Sequence, residues 1–133
     1  MSKKLTYKGL RKLAWNLKSE YVRRKDANAR GNVACFICGK RFHFKKVNAG
    51  HYIHRNALDF NKYNIQVSCI RCNRWLHGNL GLYAYRLIEV FGLKAYRNLE
   101  AKRNMEHYFT RGELDKIVVY YKNKLDQLKG RHK

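Results

Sequence analysis

Four cysteines in two closely spaced pairs are the residues of this sequence whose chemistry is easiest to predict. Cys35 and Cys38 form the first pair and Cys69 and Cys72 the second, with residues 39–68 between them. Two Cys-x2-Cys turns are typical of a tetrahedral four-sulfur Zn²⁺ site that is closed to substrate. The sequence therefore predicts a structural zinc ion whose binding stabilises the fold. An iron–sulfur cluster is the alternative, although nothing else in the sequence indicates electron transfer.

A histidine and several amide side chains lie inside and just after this cysteine frame. A neutral imidazole can accept the proton of an attacking water near neutral pH, so His51 is the predicted general base of a phosphodiester hydrolysis. Asn64 is expected to orient His51 or to brace the loop before it. Asn73 and His77 lie four residues apart on a predicted helix and would both contact one Mg²⁺ or Mn²⁺ ion. The predicted catalytic residues, His51, Asn64 and Asn73, follow the order of the HNH pattern.

The other histidines are expected outside this site. His54 shares a predicted strand with His51, and alternation along a strand would place the two side chains on opposite faces. We therefore do not expect both in the site. His43 is expected to be an exposed strand residue, and His107 and His132 are expected at the surface.

The chain is strongly basic, with 30 Lys and Arg residues against 9 Asp and Glu and a formal charge of +21. Self-repulsion at this charge opposes compaction, and nucleic acid is the polyanion that would relieve it. The apolar fraction of 45% is enough for a folded core. We expect DNA phosphates to be contacted by Arg23, Arg24, Lys40, Arg41, Lys45, Lys46, Arg55, Arg71 and Arg74.

Hydropathy predicts no membrane partner. The sequence has no run of about 18 apolar residues, the length that a membrane span needs. The first five residues lack the apolar stretch of a signal peptide. A reducing cytoplasm is the expected compartment, which favours cysteines as thiolate ligands over disulfides.

The hydrophobic pattern predicts an α+β fold that is mostly helical. The order of His51, Asn64 and Asn73 within the cysteine frame resembles the HNH pattern, which implies a small zinc-stapled ββα-metal (HNH) core. A basic helix over residues 8–28 ends before Gly31. Its predicted apolar face carries Leu10, Leu13, Ala14, Leu17 and Tyr21, and basic residues that include Lys18 fill much of the rest. Strands over residues 41–44 and 48–53 are expected to form a hairpin, and a helix is expected to start at the second cysteine pair.

Three further helices are predicted after Gly78-Asn79. They cover residues 80–91, residues 93–105 and a segment that begins at the capping box Thr110 to Glu113. The last one carries an apolar stripe of Leu114, Ile117, Val118, Tyr121, Leu125 and Leu128. All elements are predicted to form one domain over 1–133, with an N-terminal basic helix (1–31), the zinc-bound ββα core (32–79) and C-terminal helices (80–133).

Several short motifs together resemble the NinG/Rap family of lambdoid-phage recombination endonucleases. They are Ala14-Trp15, Glu20-Tyr21-Val22-Arg23-Arg24, Cys35-x2-Cys38-Gly39-Lys40, Ala49-Gly50-His51-Tyr52, Asn64-Ile65, Cys69-x2-Cys72-Asn73, Gly78-Asn79 and the step from Tyr83 to Ile88. The resemblance implies a structure-specific DNA endonuclease that cuts branched intermediates such as Holliday junctions and D-loops. For a phage-encoded protein the expected cytoplasm is that of a bacterial host.

One position departs from the broader HNH pattern. Many HNH enzymes have an Asp that ligates the metal directly before the catalytic histidine, whereas this chain has Gly50 there. The catalytic metal must then be held differently. Asn73 and His77 are the preferred candidates, followed by Asn79 and Asp59.

Two other functions remain open at this point. A non-catalytic zinc module that binds nucleic acid, RNA included, needs the charge and the cysteines but has no use for the histidine and asparagines in this order. An HNH nuclease of ordinary duplex DNA keeps the chemistry and changes the substrate. Because a four-way junction needs two symmetric nicks, a homodimer is the economical assembly. The apolar stripe of the last helix could form its interface or pack on the same chain.

Overall fold

The structure, a computed structural model, describes residues 4–131, so the expectation for His132 lies outside it. Four helices and four short strands alternate with turns in a mixed α+β chain. In chain order they are α1 (Tyr7–Arg24), β1 (Asn32–Ala34), β2 (Arg41–His43), β3 (Val47–His51), β4 (Ile65–Cys69), α2 (Leu80–Phe91), α3 (Leu93–Ala101) and α4 (Arg111–Arg131). The division into one domain with an HNH core stays a prediction.

The first and last helices pack against each other. Leu10 and Ala14 of α1 and Leu114 and Val118 of α4 form one buried cluster. The capping box of α4 is confirmed, because the Glu113 amide donates to the Thr110 hydroxyl at 3.1 Å and the Thr110 amide donates to the Glu113 carboxylate at 3.0 Å. The apolar stripe of α4 therefore packs on its own chain, and a homodimer stays a prediction.

The buried face of α1 differs from the predicted one. The buried residues are Leu10, Ala14, Lys18 and Val22, and Leu13, Leu17 and Tyr21 are only partly buried. Lys18, which was placed among the basic residues outside the predicted apolar face, is buried with a side chain that is 1% exposed. Its Nζ donates to the carbonyl of Asn61 at 3.0 Å, which compensates in part for the lost hydration.

The strands form two separate antiparallel hairpins. The structure pairs β1 with β2 and β3 with β4, so the expected hairpin between residues 41–44 and 48–53 is wrong. A 3₁₀ turn at Phe44–Lys46 separates β2 from β3, and the strand from Ile65 to Cys69 supplies the partner of β3. β4 alternates apolar and polar residues as a strand does, but it was not among the predicted strands, and all five of its residues, Gln66 and Ser68 included, are buried.

The β3–β4 hairpin has a cysteine at one end and the predicted catalytic histidine at the other. Val47 pairs with Cys69, and His51 pairs with Ile65. Four residue steps along a strand span about 13 Å. Helix α2 is attached to this hairpin by Tyr83, which is fully buried and donates its hydroxyl to the Gly50 carbonyl at 2.8 Å.

No helix between residues 4 and 131 combines the length and the apolar character that a membrane span requires.

Candidate functional site

The four cysteines meet at the first end of the β3–β4 hairpin. Their sulfur atoms all lie within 4.8 Å of one another, and the Cys38 and Cys69 sulfurs are 3.8 Å apart. Four sulfurs around one zinc ion at the usual bond length would be about 3.8 Å apart. All four are free thiols, and three of them are buried. This geometry can hold a metal ion such as zinc, as the spacing predicts.

Hydrogen bonds around the sulfurs fit a bound cation. The Cys69 amide donates to the Cys35 sulfur at 3.3 Å, and the Cys72 amide donates to the Cys69 sulfur at 3.4 Å. Burial raises the pKa of the Cys35 thiol and raises the pKa of Cys72 to about 12. Buried thiols ionise readily only beside positive charge, so amide donors and a divalent cation would together hold them as thiolates.

His51, at the other end of the hairpin, has a carboxylate as its partner. Its Nε2 lies 2.8 Å from Oδ1 of Asp59, and the second carboxylate oxygen accepts from Nη2 of Arg11 at 2.8 Å. The side chains of His51 and Asp59 are 22% and 17% exposed, so both reach solvent. Because Asp59 is acceptor-only when ionised, it selects the His51 tautomer that carries its proton on Nε2 and leaves Nδ1 free.

Two aromatic rings lie against His51. Trp15 of α1 stacks on it at 5.0 Å between centroids, and His54 stacks on it at 5.3 Å. The expectation that His54 points to the opposite face is wrong, because β3 ends at His51 and the chain bends at Tyr52 and Ile53. The stacked rings restrict the rotation of the His51 imidazole.

An open cleft of about 320 Å³ exposes this group. It is lined by Trp15, His51, His54, Arg55, Asn56 and Asp59. Arg55 is anchored there by hydrogen bonds from its guanidinium to the carbonyls of Met105 and Asn104, at 2.9 and 3.2 Å. The cleft thus combines an imidazole, a carboxylate and a fixed guanidinium in reach of solvent.

Asn64 braces the loop instead of holding the histidine. Its side chain is fully buried, accepts from the Ile53 amide at 2.8 Å and donates to the carbonyls of Ile53 and Leu58 at 2.9 and 3.3 Å. Within residues 4–131 these backbone groups are its side-chain partners, and Asp59 takes the position at His51 that was expected for Asn64. Asn64 therefore fixes the loop from which Asp59 reaches His51.

Asn73 lies beside Gly50, the residue before His51. A Cβ atom built on Gly50 would be 3.1 Å from Oδ1 of Asn73 and 2.8 Å from Cβ of Ser68. A side chain at position 50 therefore has no room, which explains why this chain cannot carry an Asp there. Asn73 occupies the space that such a side chain would need.

His77 is not brought to the site as a helical neighbour of Asn73. The segment Arg71–Trp75 forms a single π-helical turn, and His77 is exposed in the left-handed region with φ of 50°. The predicted helix that would align Asn73 with His77 is thus absent from this described segment. Asn79, another candidate ligand, donates its amide to the Cys72 sulfur at 3.6 Å and belongs with the cysteines.

Among residues 4–131, the cysteines are the one group of three or more His, Cys, Asp or Glu ligand atoms close enough to share an ion. A Mg²⁺ or Mn²⁺ ion held by Asn73 and His77 stays a prediction. Asp59 is the carboxylate that the cleft offers to a cation.

The basic residues expected to contact DNA fall into two groups. The exposed members are Lys40, Arg41, Lys45, Lys46, Arg71 and Arg74. The partly buried members are Arg55, Arg23, which bonds Ser19 and the Phe44 carbonyl, and Arg24, which pairs with Glu20 at 2.8 Å. Their contact with DNA stays a prediction.

Sequence reasoning missed Arg11 and Trp15 as parts of the site and gave Asp59 only as a reserve metal ligand. Arg11 and Trp15 are four residues apart on α1, the spacing that puts two side chains on one helix face. That spacing is a usable signal, but it does not indicate which loop the face meets.

Comparison with known proteins was made on the whole chain. Residues 2–131 match a family model described as Bacteriophage Lambda NinG protein. Two curated relatives named Protein ninG, from Salmonella phage P22 and Escherichia phage 933W, are each 31% identical over 112 residues, which is 82% of this chain. The chain spans about half the length of these relatives, 52% and 53%. No solved structure matches the chain.

Proposed function

The chain belongs to the NinG family of bacteriophage proteins, and from this premise we propose that it is a metal-dependent endonuclease that cuts branched DNA. The observation that carries the proposal is the 2.8 Å contact between His51 Nε2 and Asp59 Oδ1 in a solvent-open cleft. Around His51 lie the carboxylate of Asp59, the stacked ring of Trp15 and the Arg11 guanidinium that pairs with Asp59. This arrangement supports His51 as a general base.

The proposed reaction is hydrolysis of a phosphodiester. The Nδ1 lone pair of His51 takes a proton from a water molecule while the water oxygen bonds to phosphorus. The bond between phosphorus and the 3′ oxygen breaks, and the 3′ oxygen takes up a proton from solvent. The products are a 5′-phosphate and a 3′-hydroxyl. Asp59 stabilises the imidazolium that forms, as the carboxylate of a catalytic triad does.

Positive charge near the cleft would bind the phosphate. Arg55 lines the cleft, and its guanidinium is held by two carbonyl groups, which fixes its direction. Fixed cations stabilise the charge that grows on the phosphoryl oxygens without reorganising during the reaction. The formal charge of +21 would add the long-range attraction that draws DNA to the surface.

A divalent cation would supply Lewis-acid stabilisation of the phosphate when it is bound. Asp59 is the residue in the cleft with the right chemistry to hold it, and Asn73 and His77 are the further candidates from the sequence. Cleavage is therefore expected to require added Mg²⁺ or Mn²⁺. The protein should be freed of Mg²⁺ by dialysis with its zinc retained, and cleavage should be assayed with and without added Mg²⁺ or Mn²⁺.

The His51→Ala protein tests the catalytic role directly. We expect it to bind four-way junction DNA as the wild type does while the cleavage rate falls at least about 100-fold. His107→Ala is the matched control, since His107 is exposed and does not line the cleft, so its loss should leave both binding and cleavage unchanged. Equal cleavage by His51→Ala and wild type would contradict the proposal.

The choice of substrate separates the remaining alternatives. A four-way junction and a linear duplex of the same sequence should be cut at clearly different rates if branched DNA is the target. Equal cutting of both would favour a nuclease of ordinary duplex. Binding with no cutting of either DNA under any metal condition would leave a zinc module that only binds nucleic acid.

A further inference from the structure

A groove of about 320 Å³ on another side of α1 is lined mainly by aromatic and basic side chains. Its aromatic residues come from three elements and one loop: Tyr21 from α1, Tyr63 from the loop before β4, Phe91 from α2, and Tyr120 and Tyr121 from α4. Lys18, Lys25 and Lys62 are its basic residues, and the described lining includes no carboxylate. This composition matches surfaces that stack nucleic-acid bases beside a phosphate backbone.

The aromatic rings of the groove pack against one another, and Tyr120, which lies edge-on to Tyr121 at 4.9 Å, is the most exposed of them. Tyr21 lies 5.7 Å from Tyr121, and Tyr63 lies edge-on to Phe91 at 5.1 Å. Tyr121 is buried, whereas Tyr120 is 53% exposed. A packed aromatic wall with one half-exposed ring at its edge is a surface on which a flat base can stack with little loss of side-chain entropy.

The basic residues are positioned for a phosphate at the rim. Lys62 is exposed, and its ammonium lies 4.9 Å from the centre of the Tyr63 ring. Lys25 is half-buried and shares its charge with Asp26 at 3.1 Å. Lys62 is therefore the principal free cation at the groove, next to an aromatic ring, as base stacking and phosphate binding together require.

The groove and the His51 cleft lie at two points along α1, and the helix face between them is buried at Lys18 and Val22. Arg11, Trp15, Lys18, Val22 and Lys25 follow each other at steps of four and three residues, so they lie along one helix face. Trp15 lines the cleft, and Val22 and Lys25 line the groove. Seven residues of helix span about 10 Å, so a strand bound at both sites would have to span at least about three stacked nucleotides.

We propose that this groove stacks one unpaired base of a DNA strand that continues to the His51 cleft. A base in a continuous duplex is already stacked and paired, so the groove would favour DNA whose strands separate, as they do at a branch. The part about the cleft rests on the proposed nuclease function. The groove itself can be tested by binding alone.

The test compares two exposed tyrosines on forked DNA and on fully paired duplex of the same sequence. Tyr120→Ala removes the most exposed aromatic ring of the groove, and Tyr85→Ala removes an exposed tyrosine of α2 outside the groove. We expect Tyr120→Ala to weaken the Kd for forked DNA at least about fivefold, with duplex binding unchanged. Tyr85→Ala should leave both affinities unchanged.

A fluorescent base reports the stacking itself. With 2-aminopurine at successive unpaired positions of the fork, wild type should quench the fluorescence at one position at least about three nucleotides from the cleavage site, and Tyr120→Ala should not. Lys62→Ala should lower the salt dependence of fork binding by about one phosphate contact. Equal weakening of forked and duplex DNA by Tyr120→Ala, or no weakening of either, overturns the proposal.

The remaining outcomes separate this inference from the nuclease proposal. Fork selectivity that depends on Tyr120 without any cleavage supports the groove and contradicts the nuclease. Cleavage that is indifferent to Tyr120 supports the nuclease and contradicts the groove. A Tyr120→Ala protein that changes its oligomeric state, measured by light scattering, would assign the groove to a second copy of the chain and overturn the proposal.

Discussion

The two ends of the β3–β4 hairpin are built in opposite ways. At the Cys69 end, two short turns bring four side chains together, and each turn contributes a pair only three residues apart. At the His51 end, Trp15 comes from α1, His54 comes from the bend after β3, and Asp59 comes from the loop before β4. The first site depends on local geometry and the second on how distant segments pack.

This difference separates stability from chemistry. Cys35, Cys69 and Cys72 are buried and closed to solvent, which suits an ion that stabilises the fold. His51 and Asp59 remain partly exposed and open to a substrate. Damage at the cysteine end should therefore unfold the chain, whereas damage at the histidine end should first change activity. The following four predictions test that contrast, from the largest expected effect to the smallest.

Cys72→Ala is expected to unfold the protein at room temperature. Structural zinc can contribute about 10 kcal/mol or more in small domains, as much as the whole stability of a typical domain. The measurement is zinc content together with thermal unfolding followed by circular dichroism. His77→Ala is the control and should keep its zinc. A Cys72→Ala protein that melts like wild type would show that Cys72 is not a ligand.

Asn64→Ala is expected to lower the free energy of unfolding by about 3 kcal/mol, because it leaves buried backbone groups of Ile53 and Leu58 without partners. The loop that carries Asp59 should loosen, so cleavage should fall as well while the zinc is retained. Asn98→Ala, at an exposed position of α3, is the matched control. The two free energies can be compared by urea unfolding. Equal values would contradict the bracing role of Asn64.

Lys18 is expected to make stability at the histidine end depend on pH. Burial lowers the pKa of Lys18 to about 7, although Asp59 partly opposes this shift. Above pH 7 the unfolded chain binds more protons at this lysine than the folded chain, so the folded state gains stability as pH rises toward the unfolded pKa. Relative to Lys18→Met, wild type should gain about 2 kcal/mol between pH 7 and pH 9. A constant difference across this range would mean that Lys18 stays protonated.

Gly50→Ala is expected to cost about 1–3 kcal/mol, because the added Cβ would lie 2.8 Å from Cβ of Ser68. The strain falls one residue before His51, so cleavage should decrease while zinc binding at the other end persists. Gly81→Ala has open space around it in α2 and should stabilise the helix by about 0.5–1 kcal/mol. Thermal melting of the pair measures the contrast. A neutral Gly50→Ala would mean that Ser68 and Asn73 move aside easily.

The helices were largely predictable from the sequence. The capping box of Thr110 and Glu113 and the stripe that begins at Leu114 locate α4, because both signals depend only on neighbouring residues. The strands predicted at 41–44 and 48–53 match β2 and β3, but their pairing was wrong, because each pairs with a strand, β1 or β4, that was not predicted. The burial of Lys18 was not predicted either, since its partner Asn61 lies in a distant loop.

By itself the sequence predicted the four-cysteine cluster, because two residues between the cysteines of each pair let both sulfurs of that pair reach one metal ion. It also determined the basic surface charge and pointed to His51. Only the tertiary structure decided what surrounds that histidine. Asp59 is its partner in place of Asn64, Trp15 and His54 stack on it, and His77 is exposed outside the cleft. The physical reason is that spacing constrains side chains within one turn, whereas contacts between distant segments depend on the packing of the whole chain.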